Sequence, residues 1–166
     1  MCAISGIISR SPAYHQMTYL TAMLAAMVHR GPDGTEVEIL ENQGCFGHNR
    51  LSIIDRHERA KQPMWNSTHC YCLSFNGEIY NYQLLRQELV QLGHRFRTES
   101  DSEVLVQAWE EWGVVSISRL VGMFAFAVWD KKYQTLFLVR DRMGEKPLYY
   151  APINQDFNNG VVFCGY

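Results

Sequence analysis

No apolar run in this sequence reaches the roughly 18 residues that a membrane-spanning helix requires, and no charged-then-apolar segment of the secretory kind opens it. Insertion into a bilayer and export are therefore not expected, and the reading is a soluble cytoplasmic protein. A sustained basic stretch is also lacking: 15 Lys plus Arg stand against 17 Asp plus Glu, scattered along the chain, for a formal charge of −2. Without a continuous cationic stripe nothing tracks a phosphate backbone, so nucleic acid is not an expected partner. RHERAK at 56–61 is short, is broken by Glu58, and reads as a solvated loop.

Cysteines are few and their pattern is uninformative for metals. Five is an odd number, and Cys70 and Cys72 in HCYCLSF alternate along an expected strand. That arrangement makes neither a disulfide framework nor paired C-x-x-C knuckles, and a zinc ion beside His69 would want for further ligands. Reduced thiols with no metal and no cofactor are the reading. Internal repeats, low-complexity segments and linkers are absent as well. What remains, 166 residues with 47% apolar and 13% aromatic side chains, suits one packed core and one domain over 1–166.

The order of elements follows from periodicity. CAISGIIS is a short buried strand. From Tyr14 to Val28, Met17, Leu20, Leu24, Met27 and Val28 recur every three or four residues, which describes a helix with one buried stripe. HRGPDG at 29–34 breaks it. Alternation predicts strands near 37–40 and 44–54, then a loop carrying Pro63. YCLSFNG reads as a central strand that stops at Asn76-Gly77 and empties into a turn before a helix over 80–92, with Gly93 at its end. Read without context, Asn-Gly would mark a hairpin.

Ser100 and Glu103 have the spacing of a capping box, opening a helix through Val104, Leu105, Ala108, Trp109 and Trp112 that Gly113 closes. GMFAFAVWD, TLFLVRDRMG, KPLYYAPI and GVVFCG are strands joined by tight turns. Strands first, helices in the middle and strands last lack the repeat of a doubly wound sheet. Two stacked sheets flanked by helices, an α+β layered domain, are expected.

Cys2 stands directly behind Met1. Removal of Met1 would place a thiol and a free α-amine on one residue, so the nucleophile would carry its own base. Read alone, a cysteine at a strand start is a small buried hydrophobe.

Taken together, MCAISGI, HRGPDG, NRLSIID, FNGEIYN, ESDSE, GMFAFAVWD and RDRMGEKPLYY resemble the amino-terminal glutaminase domain of glutamine-hydrolysing asparagine synthetases. That family is a branch of the class II glutamine amidotransferases, which are N-terminal nucleophile hydrolases. The resemblance implies a four-layer αββα sandwich, L-glutamine as substrate, and hydrolysis of its side-chain amide to glutamate and ammonia through a Cys2 thioester. It implies Cys2 as nucleophile and Asn76 and Gly77 as the oxyanion pair. Arg50 would take the substrate α-carboxylate, with the backbone at Leu51 and Ile53 as further contacts. Asp101, helped by Glu78, would take the α-ammonium.

Glu103 is assigned to the cap, and His29 and Arg30 to a loop shaping the site beside the thiol. The family carries an ATP-dependent synthetase domain or subunit that accepts the ammonia. No glycine-rich phosphate loop of that kind occurs here, and FCGY at 163–166 departs from the family's usual Phe-Ala-Ser-Glu, so the synthetase domain is read as absent from 1–166. The second reading is a truncated, non-catalytic regulatory or interaction domain that retains the glutaminase fold.

Overall fold

The computed structural model describes residues 2–9, 13–55 and 57–166, with the backbone alone at 13–15 and 157. The state of Met1, and Arg56 in RHERAK, lie outside these residues. The elements run β1 (Ala3–Ser9), α1 (Ala13–Ala26), β2 (Gly34–Ile39), β3 (Gly44–Arg50), β4 (Met64–Trp65), β5 (Tyr71–Ile79), α2 (Tyr82–Gln91), α3 (Asp101–Trp112), β6 (Gly122–Asp130), β7 (Thr135–Arg140), β8 (Leu148–Pro152) and β9 (Gly160–Gly165). They form an antiparallel sheet in the order β2-β3-β1-β9-β8 and a second in the order β4-β5-β6-β7.

Four layers result. The apolar stripe of α1 supplies Leu20 and Leu24, which pack on Ile7 and Cys45 of the first sheet. Between the sheets lie Ile4, Phe46, Cys72, Ala125, Ala127, Trp129 and Phe163. Gly6 makes room there: a Cβ would sit 2.4 Å from the Phe163 ring, which meets Phe46 edge to face at 5.3 Å. Leu85 and Leu89 of α2 and Val104, Leu105, Ala108 and Trp109 of α3 cover the far face of the second sheet. Each fully buried leucine there contributes about 1.5–3 kcal/mol, which seats α3 firmly and with it the residues of its first turn. The expected αββα layering is observed.

Several boundaries differ from the periodicity reading, each for a local reason. β3 ends at Arg50 and not near 54, because the Ser52 N–H is held by Asp33 Oδ2 at 2.7 Å and Arg50 folds back on the Asp55 carbonyl. β2 begins at Gly34, earlier than expected. α1 stops at Ala26, and Val28, half exposed, opens a 3-10 turn over Val28–Arg30. In α2, Leu84 and Leu92 face outward, and only Leu85 and Leu89 of the leucines are buried.

β4 appears inside the expected Pro63 loop. β7 stops at Arg140 because the Asp141 carboxylate accepts from the Phe124, Glu145 and Lys146 N–H groups and turns the chain. The largest correction is at Asn76-Gly77: β5 runs straight through both to Ile79, paired with β6 throughout, and no turn forms there.

Candidate active site

Residues of an antiparallel strand direct their backbone groups alternately to the two neighbours. In β5 the even-numbered residues face β6, as the bonds of Cys70 O and Tyr80 N at either end show. The odd-numbered ones face the other edge, where β4 is only two residues long. Beyond β4, side chains take the place of a strand. The Phe75 N–H donates to Gln62 Oε1 at 2.7 Å, the Phe75 carbonyl accepts from His48 Nε2 at 3.2 Å, and the Ile79 N–H donates to Asp101 Oδ2 at 3.1 Å. Between them the Gly77 N–H is turned toward the same open edge, in the wall of a cleft.

Glycine is required at 77 by close approach: a Cβ would lie 2.2 Å from the Met123 carbonyl oxygen. The Asn76 side chain, on the inter-sheet face, is fully buried, and neither end of its amide has a hydrogen-bond partner among the described residues. A buried orphan amide costs stability, about 1–3 kcal/mol, unless a ligand completes it.

Cys2 lies across the cleft at the entry to β1. The Leu51 N–H donates to its Sγ at 3.3 Å, and the thiol reaches the Leu51 carbonyl at 3.6 Å. Burial pushes the Cys2 thiol above its ordinary range; the Leu51 N–H opposes the rise, Asp101 adds to it and Arg50 opposes it. The thiol is therefore protonated near neutral pH and needs a base to become a nucleophile. Arg50, at the end of β3, anchors its Nη2 on the carbonyls of Asp55 at 2.5 Å and His57 at 3.2 Å. Its planar fork keeps Nη1 and Nε for a further acceptor.

Asp101 is the first residue of α3, behind the N-cap Ser100, whose Oγ accepts from the Glu103 N–H at 3.2 Å. Burial raises its carboxyl to about 6, against the Ile79 and Ser102 N–H groups that hold it down, and Glu78 adds to the rise. Only half of the expected capping box forms. The Glu103 carboxylate does not reach back to Ser100; it accepts from the Arg97 and Thr98 N–H groups and from Thr98 Oγ1, at 2.7–3.1 Å, and so fastens the turn ahead of the helix.

One cleft thus gathers Cys2, Arg50, Leu51, Ile53, Asn76, Gly77 and Asp101. Glu78 is exposed outside its lining and reaches Asp101 only through its charge. His29 and Arg30 do not line it either: His29 is exposed and Arg30 lies over the Tyr166 ring at 5.7 Å. The HRGPDG loop acts at one remove, through Asp33 on Ser52 and a Gly31 packed so closely on β3 that a Cβ would meet the Asn49 backbone at 2.2 Å.

Among the cleft residues that escaped sequence reasoning are His48 and Gln62. His48 is legible in retrospect, since the alternation through Phe46 and His48 turns both inward. It is buried, its pKa falls to about 4 through burial and the nearby Arg50, and it is a neutral imidazole whose Nε2 carries the hydrogen, because a carbonyl can only accept. Gln62 sits in an irregular segment ahead of β4 and carries no periodic signal.

Among the described residues no cluster of His, Cys, Asp and Glu could hold a metal, and no helix is long and apolar enough to cross a membrane.

Known proteins resemble this chain over most of its length. The chain is 42% identical over 157 residues to asparagine synthetase (glutamine-hydrolyzing) 1 of Bacillus subtilis strain 168, covering 93% of this chain and 24% of that protein. It is 37% identical over 150 residues to asparagine synthetase B (glutamine-hydrolyzing) of Escherichia coli K12, covering 90% of this chain and 26% of that one. This chain therefore spans about a quarter of the length of these curated relatives.

Among solved structures, the glutamine phosphoribosylpyrophosphate amidotransferase of B. subtilis complexed with ADP and GMP superposes with a TM-score of 0.77 at 23% identity, covering 98% of this chain and 41% of that one. At that identity the likeness is one of fold, and it is the two-sheet fold described above. A family model for the glutamine amidotransferase domain matches residues 1–164. A match that spans nearly the whole chain makes it a member of the glutamine amidotransferase domain family.

Proposed function

We propose that residues 1–166 form a single glutaminase domain that hydrolyses the side-chain amide of L-glutamine and hands the ammonia to an ATP-dependent synthetase domain or subunit in the cytoplasm. One observation carries the reading. A thiol, an unsatisfied buried amide at Asn76, an outward Gly77 N–H, a guanidinium and a buried carboxylate converge on one cleft.

In this reading Met1 is removed and the α-amine of Cys2, with an ordinary pKa of about 7.7–8.0, takes the thiol proton. Sγ then attacks the side-chain carbonyl carbon, and the oxyanion is held by Asn76 Nδ2 and the Gly77 N–H. The protonated amine returns its proton to the leaving nitrogen, the C–N bond breaks, and ammonia departs from a γ-glutamyl thioester. Water, deprotonated by the same amine, attacks the thioester; glutamate leaves and the thiol is regenerated. Arg50 grips the α-carboxylate and Asp101 the α-ammonium, so selection rests on the distance between these clamps and Sγ. The Leu51 backbone supports the thiol, Ile53 closes the rim, and Glu78 strengthens the field at the ammonium end.

Arg50→Ala tests the carboxylate clamp. Losing a charge-assisted contact of about 1.5–3 kcal/mol should lower kcat/KM for glutamine by about 10- to 100-fold, mostly through KM. A change within about twofold in steady-state assays would remove Arg50 from this role.

Two groups set the acid limb. The thiol needs the neutral amine and the ammonium needs the ionised carboxylate, so kcat/KM should fall tenfold per pH unit below the amine pKa of about 7.7–8.0 and about a hundredfold per unit below about 6, where Asp101 also protonates. Asp101→Asn should raise KM and erase the steeper part. The stability effect has the opposite sense, because a carboxyl raised on folding binds its proton more tightly in the native state. Its contribution is full below pH 4 and falls by about 3 kcal/mol as pH rises through 6. Chemical denaturation of the substrate-free protein at pH 4.5 and 7, for native and Asp101→Asn, would reveal the difference as a lost pH dependence in the variant.

A further inference from the structure

We propose that Gln62 is a positioning residue that locks the oxyanion end of the cleft to its ammonium end. The inference rests on the glutaminase reading above and concerns how that site is held in register. Gln62 is buried, at 6% exposure, and both ends of its amide are hydrogen-bonded. Oε1 accepts the Phe75 N–H at 2.7 Å, and Nε2 donates to Ser102 Oγ at 2.9 Å.

Phe75 immediately precedes Asn76, and Ser102 immediately follows Asp101. One planar amide therefore spans the strand that presents the oxyanion donors and the helix turn that presents the carboxylate. His48 grips the other side of the same residue, at the Phe75 carbonyl, so both backbone polar groups of Phe75 are tied to buried side chains. No backbone ladder does this work at that edge, because β4 ends at Trp65 opposite Cys72 and Met64 opposite Leu73.

Oxyanion donors act only when aimed at the place where charge develops, and a rotation of the 75–77 backbone misdirects the Asn76 side chain and the Gly77 N–H together. Losing Gln62 should therefore affect a reaction that builds an oxyanion and spare one that does not. Alkylation of Cys2 by iodoacetamide is a direct displacement at carbon with no oxyanion; read on the Cys2 peptide, because Cys70 is exposed too, it reports the thiol apart from the oxyanion donors.

The test compares native protein with Gln62→Met, Gln62→Glu and Ser102→Ala, each with a free Cys2 amine. For Gln62→Met, kcat for ammonia release should fall at least about tenfold while the iodoacetamide rate stays within about twofold. Amide hydrogen exchange over 75–79 should rise by about tenfold or more. Gln62→Glu keeps an acceptor for the Phe75 N–H and for the Ser102 hydroxyl, so exchange over 75–79 should stay near native even though a carboxylate buried beside Asp101 lowers kcat.

Ser102→Ala cuts only the helix side of the bridge and is tolerated in a helical first turn. It should lower kcat by about threefold or more, again with unchanged alkylation. Should Gln62→Met not fold, this variant decides alone. The proposal is overturned if the deciding variant keeps kcat within twofold of native, or if alkylation falls in step with kcat, which would mark a merely structural role. Native protein that releases no ammonia would contradict the glutaminase reading instead. The lock would then be judged by exchange, and unchanged protection over 75–79 would overturn it.

Discussion

Cys2→Ala should abolish glutamine turnover, lowering ammonia release by more than about 10⁴-fold, while glutamine still binds. The thiol is the only group in the cleft from which a thioester can form. The proposed clamps for the two ends of the amino acid, Arg50 and Asp101, sit on β3 and α3 and do not depend on Sγ for their placement. The small change is well tolerated by the fold, since Cys2 is only partly buried and its one neighbour of note is the Leu51 backbone. Isothermal titration of the variant with glutamine should give a dissociation constant near that of native protein measured with a non-reactive analogue. Persisting turnover would remove Cys2 as nucleophile, and loss of binding would mean that the thiol holds the pocket open.

Asn76→Ala is expected to have the next largest effect, a fall of about 10²- to 10³-fold in kcat with a smaller change in KM. The side-chain amide has no partner among the described residues, and substrate would engage it most strongly through the charged oxygen. The fold should not suffer: removing an unsatisfied buried amide relieves a desolvation cost, set against a small cavity beside Ser74 and the inter-sheet core. An unfolding midpoint at or above native, combined with the kinetic loss, is the expected pair of results. Unchanged kcat would mean that the Gly77 N–H and another donor suffice, and a lowered midpoint would give Asn76 a structural role.

Much of this arrangement is legible in the sequence, and the parts that are not share a cause. GMFAFAVWD gives β6 to the residue because a short run of apolar and aromatic side chains, bounded by turns, suits a strand buried on both faces. α3 is equally plain from its N-cap and its apolar spacing. Asn76-Gly77 misleads because the dipeptide's usual meaning is local, whereas here the glycine is demanded by the neighbouring β6 backbone.

Glu103 also follows the motif's spacing and yet turns to the Arg97–Thr98 backbone, where a preceding turn offers more donors. Gln62 leaves no trace in any pattern, because its importance comes from two contacts 13 and 40 residues away in the chain. Short-range rules read elements; they do not read which side chain replaces a missing strand.

The most direct test of the central claim is the intact mass of the protein before and after exposure to a glutamine analogue bearing an electrophile at the side-chain carbonyl, read alongside ammonia release from glutamine. A working glutaminase gives a mass lacking Met1, a single adduct located on Cys2, and ammonia released in step with glutamate. A protein that has lost Met1 but takes up no adduct at Cys2 and releases no ammonia would contradict that claim.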